Sequence, residues 1–364
     1  MDFDLSPDQE TLRDAAAGLL DGCAAPDQVR EVVDAGTGHD ARLWAAIVGQ
    51  GWASIEVSES LGGLGLGTVE AAVVAEQVGR HAAPAPVVPT LVATAALADA
   101  VSAGAVEAQA LLATLLEGGR GAAWSDEGTL AAAPVGGSTI LGGRSGPIPG
   151  LPIADVAVVV ASEPDGGRGL YGVALDDTTR PRAEPAMDRT GTTGWFEPDA
   201  VPAVRLGAAD AVERLIDRGA TLTSAELLGG ASRALEMAVE HAKQRHQFGR
   251  PIGSFQAVKH RCADMLVDVE GMRSAAYYAA WCLAAGDAER SLAASVAKTW
   301  CADAATRVLA GALQVHGGIG FTWDHDLHFF LKRAQAGALA HGDAAAHRRR
   351  LISLLAPNRS SSFA

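Results

Sequence analysis

The sequence is poor in the residues and segments that several classes of protein require. It contains only four lysines, all beyond residue 240, and its formal net charge is −14. A nucleic-acid partner would need a basic face, so this charge balance argues against one. No run of 18 or more apolar residues is free of polar interruptions, so we expect no membrane insertion. The N-terminal stretch MDFDLSPDQETLRDAA is acidic and amphipathic, unlike a secretory signal, and we therefore expect a cytoplasmic protein.

Cysteine is also scarce, and its spacing excludes the usual metal motifs. The four cysteines lie far apart and form no C-x-x-C pair, which predicts free thiols in a reducing compartment. The histidines are scattered, and no two have the H-x-x-x-H spacing that places two ligands on one helical face. We therefore expect no metal site.

What the sequence does contain changes character twice along the chain. Residues 1–117 show helical periodicity, with Ser6 as a candidate N-cap and the glycine-rich stretch 61–68 as a loop. Residues 118–207 show short apolar runs separated by turn residues, which predicts a small antiparallel β-barrel or sandwich. Residues 208–364 return to long helical runs. The predicted fold is therefore α+β and multidomain, with an N-terminal helical domain, a middle β-domain and a C-terminal four-helix bundle.

The individual elements of the two later domains follow from these runs. In the β-domain the strand-like runs are GAAWSD, STILGG, ADVAVVVAS, GLYGVALD, TGWFEPDA and AVRLG. In the C-terminal domain the helical runs are 210–223, 225–247, 254–285, 291–315 and 326–356.

Two glycine-marked corners interrupt the bundle. The first, RHQFGRPIGSFQ, runs from Arg245 to Gln256, and the second, QVHGGIGFTW, runs from Gln314 to Trp323. A loop arginine can bind a pyrophosphate through two parallel hydrogen bonds, and backbone N–H groups near glycine can bind phosphate oxygens. The residues alone leave two interpretations open: ordinary helix corners, or a site for a flat, anionic ligand.

Both corners resemble signatures of one family. RHQFGRPIGSFQAVKHRCADM resembles the R-x-x-F-G-x-x-I-x-x-F-Q-x-x-x-x-x-x-A-D-M segment of the acyl-CoA dehydrogenase family, and QVHGGIGFTWDHDLHFFLKRA resembles its Q-x-x-G-G-x-G-[YF] segment. LSPDQETLR and ESLGGLGLGTVEAAVVAEQVG resemble the family's first domain, and LGGRSGPIPGLPIADVAVVVA resembles part of its β-domain. The resemblance covers nearly the whole chain, which is similar to subunits of heterotetrameric bacterial acyl-CoA dehydrogenases.

The resemblance implies a cofactor, a reaction and partners. The cofactor is FAD, and the reaction is α,β-desaturation of an acyl-CoA thioester with hydride transfer to flavin N5. The electrons then pass to an electron-transferring flavoprotein. The assembly is a dimer of this chain or an α2β2 complex with a homologous subunit. By position in the motifs, the residues expected to bind FAD, some of them the FAD of a neighbouring protomer, are Arg245, Gln247, Phe248, Gln256, Gln314, Gly317 and Gly318.

The flavin loop of the β-domain departs from the family pattern. WSDEGTL, residues 124–130, stands where the family has a Thr-Glu-Pro…Gly-Ser-Asp loop. Trp124 is a candidate to pack on the flavin ring system, and Ser125 to offer it a hydroxyl group. The alternatives are a Trp in the core and a Ser in a turn.

The position of the catalytic base departs as well. Counting without gaps from residues 332–334 places His341 where many members have a catalytic Glu, and Gly342 at the Gly that follows. His341 is either a base or a structural histidine. Glu226 is a weaker candidate, since an acid in the first turn of a helix also favours the helix dipole. The departures leave three functions open: an acyl-CoA dehydrogenase with another base, a non-catalytic partner subunit, or a flavin oxidase or monooxygenase of the same fold.

Overall fold

The protein has helices at both ends of the chain and a β-sheet region in the middle, which confirms the predicted class. The structure is a computed structural model and describes residues 4–126 and 128–356. The chain divides into two compact units. The first comprises Met1–Arg30, Ala72–Ala83 and Ala220–Ala364, and the second comprises Glu31–Ala71 and Pro84–Gly219. The domain boundaries drawn from the sequence, after residues 117 and 207, stay predictions.

Six α-helices precede the first strand. They are α1 (Pro7–Cys23), α2 (Pro26–Ala35), α3 (Ala41–Gly49), α4 (Thr68–Arg80), α5 (Val87–Ser102) and α6 (Ala108–Leu116). The predicted cap Ser6 begins α1: its Oγ accepts from the Gln9 N–H (3.2 Å), and its own N–H donates to Gln9 Oε1 (2.9 Å). This reciprocal pair satisfies N–H groups that a helix start leaves without partners. The glycine-rich stretch lies between helices, before α4 begins at Thr68.

The middle region is a small sheet that closes on itself. Its strands are β1 (Gly121–Trp124), β2 (Ala131–Val135), β3 (Ser138–Gly142), β4 (Pro147–Pro149), β5 (Val156–Ser162), β6 (Arg168–Ala174), β7 (Thr193–Trp195) and β8 (Val201–Gly207). The order is β1-β5-β2-β3-β8-β6, and β6 pairs again with β5, which joins the ends of a five-stranded ring. β4 and β7 form a separate two-stranded sheet.

The prediction of a purely antiparallel arrangement is wrong in two places. β5 pairs in parallel with β1 and, at one residue pair, with β2. β5 is a continuous apolar run, and six of its seven residues are buried, as expected for a strand that is covered on both faces. β2 and β4 were not predicted, since proline in AAAPV and PIP weakens the strand pattern.

The C-terminal helices differ from the predicted runs at two points. They are α7 (Ala209–Gln244), α8 (Gln256–Ala284), α9 (Arg290–His316), α10 (Leu327–Leu339) and α11 (Ala344–Leu355). The runs 210–223 and 225–247 form the single helix α7, because the hydroxyl of Ser224 donates to the Ala220 carbonyl four residues back (2.7 Å) instead of capping a new helix. None of the helices in residues 4–126 and 128–356 combines the length and apolarity needed to cross a bilayer.

The predicted run 326–356 is two helices, with a break at the proposed base. His341 and Gly342 both have left-handed backbone angles, φ +54° and +96°. Asp343 then caps α11 by accepting from the Ala346 N–H (2.7 Å). The break therefore fixes which way the His341 side chain points.

Candidate functional site

The first corner is a tight hairpin between α7 and α8. β9 (His246–Gln247) pairs with β10 (Arg250–Pro251) in antiparallel register. The two turn residues, Phe248 and Gly249, have φ +52° and +77°, as a two-residue hairpin with positive angles requires. Phenylalanine is rare in this conformation, and here its side chain is 90% exposed. A strained and exposed aromatic residue is typical of a binding site more than of a plain turn.

The charged and amide side chains of this corner face solvent. The Arg245 backbone is held at both ends: its N–H donates to the His241 carbonyl (2.8 Å), and its carbonyl accepts from the Ile252 N–H (2.8 Å). Its side chain is exposed, as are those of Gln247 and Gln256. A guanidinium and two amides on an anchored backbone suit an anionic ligand with hydrogen-bonding edges.

The second corner follows the end of α9. Gly317 has φ +65° and ψ −141°, a conformation almost confined to glycine. A Cβ added at Gly317 or Gly318 would meet no heavy atom within 4 Å beyond the chain neighbours, whereas one at Gly320 would lie 3.0 Å from the side chains of His316 and Leu313. Gly317 and Gly318 therefore leave open space above the backbone, and Gly320 is a packing residue. Gln314 is exposed beside them.

The helix ends that lead into the two corners meet through histidine rings. The rings of His241, near the end of α7, and His316, the last residue of α9, stack with centroids 4.7 Å apart. His325 contacts His316 edge-on at 4.5 Å. A cavity of about 600 Å³ opens here, lined by the C-terminal part of α7 together with His316 and His325. The histidines are scattered in the sequence, but the fold brings three of them together.

Burial favours the neutral form of all three histidine rings. Burial lowers the pKa of His241, His316 and His325 below the usual range, which favours neutral rings. Within the described part of the chain, no group of three or more His, Cys, Asp or Glu side chains is arranged to hold a metal ion.

His341 lies inside its unit and not at a surface. Only 6% of the residue is exposed. Its carbonyl accepts from His347 Nε2 (2.9 Å), and the ammonium of buried Lys298 lies nearby, donating to the Gly337 and Ala338 carbonyls at the end of α10. Burial, then the charge of Lys298, then His347 lower the pKa of His341 to about 3. A role as base stays a prediction, but this environment suits a structural histidine.

Glu226 forms an ion pair in mid-helix, and the expectation that it lies in the first turn of a helix is wrong. Its Oε1 accepts from Arg333 Nε (2.9 Å) and Nη2 (2.6 Å), and Arg333 Nη1 donates to the Ala83 carbonyl (3.0 Å). The side chains of Glu226 and Arg333 are 18% and 15% exposed. The carboxylate is thus held by its partner, on a helix that began seventeen residues earlier at Ala209.

Arg333→Ala is expected to lower the free energy of unfolding by about 2 kcal/mol, because it leaves the largely buried Glu226 carboxylate without its cation. The matched control is Arg348→Ala. Arg348 pairs with Asp303 at the surface, where both side chains are about half exposed, so a change below about 0.5 kcal/mol is expected. Urea unfolding followed by circular dichroism measures both. Equal effects would contradict a structural role for the Glu226 pair.

Trp124 and Ser125 belong to the second unit. Trp124 ends β1 and is 8% exposed, and a Cβ added at Gly146 would lie 3.1 Å from its Nε1. The structure therefore places Trp124 in a packed position, and Ser125 after it is half-buried. Glu127 of the same loop lies outside the described residues. Contact of either residue with flavin stays a prediction.

Sequence reasoning missed a buried ion-pair network in the second unit. Arg218 donates to Glu56 (3.2 Å) and to Asp99 (3.2 Å), and Thr68 donates to the same Glu56 oxygen (2.7 Å). The side chains of Arg218 and Glu56 are 13% and 7% exposed. The residues are far apart in sequence, and no local pattern reveals their pairing.

Comparison with known proteins gives concordant matches over most of the chain. The family model "Acyl-CoA dehydrogenase, N-terminal domain" matches residues 6–114, and the model "Acyl-CoA dehydrogenase, C-terminal domain" matches residues 207–354. The acyl-CoA dehydrogenase IpdE2 of Mycolicibacterium smegmatis is 33% identical over 348 residues, which cover 95% of this chain and 98% of that protein.

Two solved structures are similar along almost the whole chain. A chain of the ChsE4-ChsE5 complex from Mycobacterium tuberculosis has a TM-score of 0.90 and 30% identity, covering 98% of this chain and 99% of that one. A chain of a variant of the Tcur3481-Tcur3483 steroid ACAD has a TM-score of 0.89 and 32% identity, covering 97% of this chain and 99% of that one.

Proposed function

This chain belongs to the acyl-CoA dehydrogenase family, and from that premise we propose that it is the flavin-binding subunit of a heteromeric acyl-CoA dehydrogenase. The family consists of flavoprotein oxidoreductases that act on CH–CH groups. In the proposed assembly a homologous subunit supplies the catalytic base, and the reaction is α,β-desaturation of an acyl-CoA thioester. The chain thus contributes the cofactor-binding corners and not the proton acceptor.

The buried His341 is the observation that carries this proposal. A general base must come within hydrogen-bonding reach of the proton that it removes. At the position where many members have a glutamate, this chain has a side chain turned inwards beside Lys298 and His347, on a left-handed backbone. Glu226, the other candidate, is held by Arg333. Similarity to two complexes, each named for two different components, agrees with a partner that carries the base.

The residues of the two corners fit FAD in their chemistry. Arg245 offers two parallel donors to a pyrophosphate, and the open backbone at Gly317 and Gly318 permits close approach of phosphate oxygens. The amides of Gln247, Gln256 and Gln314 can hydrogen-bond the ribityl chain or a heterocycle edge, and exposed Phe248 offers a flat apolar face. When bound, FAD supplies the hydride acceptor. Trp124 and Ser125 are proposed as further contacts from the β-domain.

The substrate and the electron acceptor are proposed by class. Similarity to a steroid ACAD favours a bulky acyl-CoA. An electron-transferring flavoprotein is proposed to reoxidise the flavin.

Separate and joint purification tests the proposed function. The chain is produced alone and together with a homologous chain that has Glu at the base position. Flavin content is measured by absorbance, and reduction is followed by anaerobic bleaching with a panel of acyl-CoA thioesters. We expect the joint preparation to bleach, and the chain alone to be slower by about a hundredfold or more, because loss of a general base costs about 10²–10⁴ in rate.

The His341→Ala variant of the joint preparation is the control. It is expected to bleach at the unchanged rate, within about twofold, because His341 has no contact with the reacting atoms in this proposal. Full flavin content and rapid bleaching of the chain alone, lost in His341→Ala, would instead establish a self-sufficient dehydrogenase that uses this histidine.

A further inference from the structure

We propose that His241 and His316 are positioning residues that couple the two corners, so that each corner's backbone is held by the other. Their ring stack joins the end of α7 to the end of α9. The inference rests on the proposed function for the identity of the ligand, FAD, but the coupling itself is a property of the apo-protein.

Each histidine lies at a helix end that leads into a corner. The backbone carbonyl of His241 accepts from the Arg245 N–H (2.8 Å), so the His241 ring lies one helical turn before the residue that begins the hairpin. His316 lies between Gln314 and Gly317 in the second corner, and its Nδ1 donates to the Ala312 carbonyl (2.8 Å). A carbonyl only accepts, so this bond fixes both the tautomer and the direction of the His316 ring.

The third ring extends the contact to the start of α10. His325 Nδ1 accepts from the Leu327 N–H (3.2 Å), and its ring contacts that of His316 at 4.5 Å. His316 is therefore in contact with a ring on each of two neighbouring segments. A displacement of the His316 ring would therefore change its contacts with both segments.

Several apolar side chains of the two corners are exposed. Phe248 of the hairpin is 90% exposed, although its ring contacts that of Phe255 edge-on at 6.0 Å, and Ile319 and Phe321 of the second corner are 49% and 74% exposed. Segments with few buried apolar contacts open easily. The stacked rings are thus a principal side-chain contact that links these two segments and limits their motion.

Burial favours neutral rings in the stack, and the charges around it are of mixed sign. Arg233, Glu236, Glu240 and Lys243 of α7 line the same cavity, and Arg245 adds positive charge beside His241. Asp326 and Arg30 act on His325 with opposite signs. Since the rings are expected to be uncharged, their contribution comes from shape and stacking, and another aromatic ring should replace it.

The test uses reciprocal substitutions. His316→Ala and His241→Ala each remove one ring, His316→Phe keeps a ring without the imidazole nitrogens, and Val296→Ala is the control. Val296 is 45% exposed on α9 and lies about 30 Å from His316 along the helix at 1.5 Å per residue. Hydrogen exchange is measured in the apo-protein for residues 246–251 and 317–321, and FAD affinity by titration of the assembly that takes up flavin.

We expect each Ala variant to loosen the opposite corner as well as its own. His316→Ala should raise exchange in 246–251, and His241→Ala should raise exchange in 317–321, each by about three- to tenfold. FAD affinity should fall by about the same factor. His316→Phe should restore exchange and affinity to within about twofold of the unmodified chain, and Val296→Ala should change neither.

The experiment distinguishes failure of the proposed coupling from failure of the proposed function. Exchange that rises only in the corner carrying the substitution overturns the coupling, while the proposed function stands if FAD still binds. Absence of FAD uptake by the unmodified chain in every assembly overturns the proposed function, while reciprocal exchange effects would still support the coupling.

Discussion

Gly229→Ala is expected to lower the free energy of unfolding by about 3 kcal/mol, because α4 and α7 touch backbone to backbone at this residue. A Cβ added at Gly229 would lie 1.8 Å from the Glu76 carbonyl oxygen and 2.8 Å from the Arg80 nitrogen. Both are backbone atoms, which no change of rotamer can move aside. A Cβ at Gly79 of α4 would likewise lie 1.9 Å from the Glu226 carbonyl oxygen. The helices would have to separate and give up buried contacts along their length.

The neighbouring glycine gives a matched control. A Cβ at Gly230 would meet nothing closer than 3.6 Å, the Gly79 carbonyl oxygen. Gly230→Ala is therefore expected to leave the free energy of unfolding unchanged or to raise it by up to about 1 kcal/mol, since alanine has a higher helix propensity than glycine. Urea unfolding measures the stability of both variants. If their free energies of unfolding agree within about 0.5 kcal/mol, the result contradicts the close backbone contact between α4 and α7.

Acidification from pH 7 to pH 5 is expected to remove about 3 kcal/mol of stability through His341 and His347. Both are buried, 6% and 2% exposed. Burial, as the largest cause, lowers the pKa of His341 to about 3 and that of His347 to about 4. A histidine whose pKa is lower in the folded state stabilises fully above its unfolded pKa of about 6.5, and this stability is lost as pH falls towards the folded value.

Burial is the largest cause of the low basicity of His347, and the hydrogen bonding of its ring shows what a second proton would cost. Nε2 faces the His341 carbonyl, which only accepts, so Nε2 carries the proton of the neutral ring. Nδ1 is buried and has no hydrogen-bond partner among residues 4–126 and 128–356. A second proton would therefore create a buried N–H group without an acceptor, close to the Lys298 ammonium. The free-energy cost of this group is relieved when the protein unfolds, so protonation favours the unfolded state.

The double variant His341→Asn/His347→Gln tests this assignment. Asparagine tolerates the left-handed backbone at residue 341, and neither amide titrates. Unfolding free energies are measured between pH 7 and pH 5. The variant should lose about 3 kcal/mol less than the unmodified chain over this range, and His260→Asn, a change at an exposed residue of α8, should leave the pH dependence as it was. If the free energy of unfolding of the double variant depends on pH as in the unmodified chain, other residues cause the acid sensitivity.

Much of the architecture was predictable because it depends on local pattern. Helical periodicity, the Ser6 cap and the short strand-like runs are properties of neighbouring residues, and they predicted the order of helices, sheet and helices correctly. The two corner motifs are contiguous in sequence, so the family could be identified from them. Alanine-rich and proline-containing β2 and β4 were missed because neither follows the usual strand pattern.

The sequence by itself determined the order of the elements, the family and the two loops that bear its signatures. Only the tertiary structure decided that α7 runs unbroken through Ser224, that β5 pairs in parallel and closes a ring, and that His341 turns inwards. It also brought His241, His316 and His325 together across a gap of more than seventy residues. Local signals depend on backbone sterics and on side chains three or four positions apart, whereas burial, titration and ring contacts depend on which distant segments exclude water from one another.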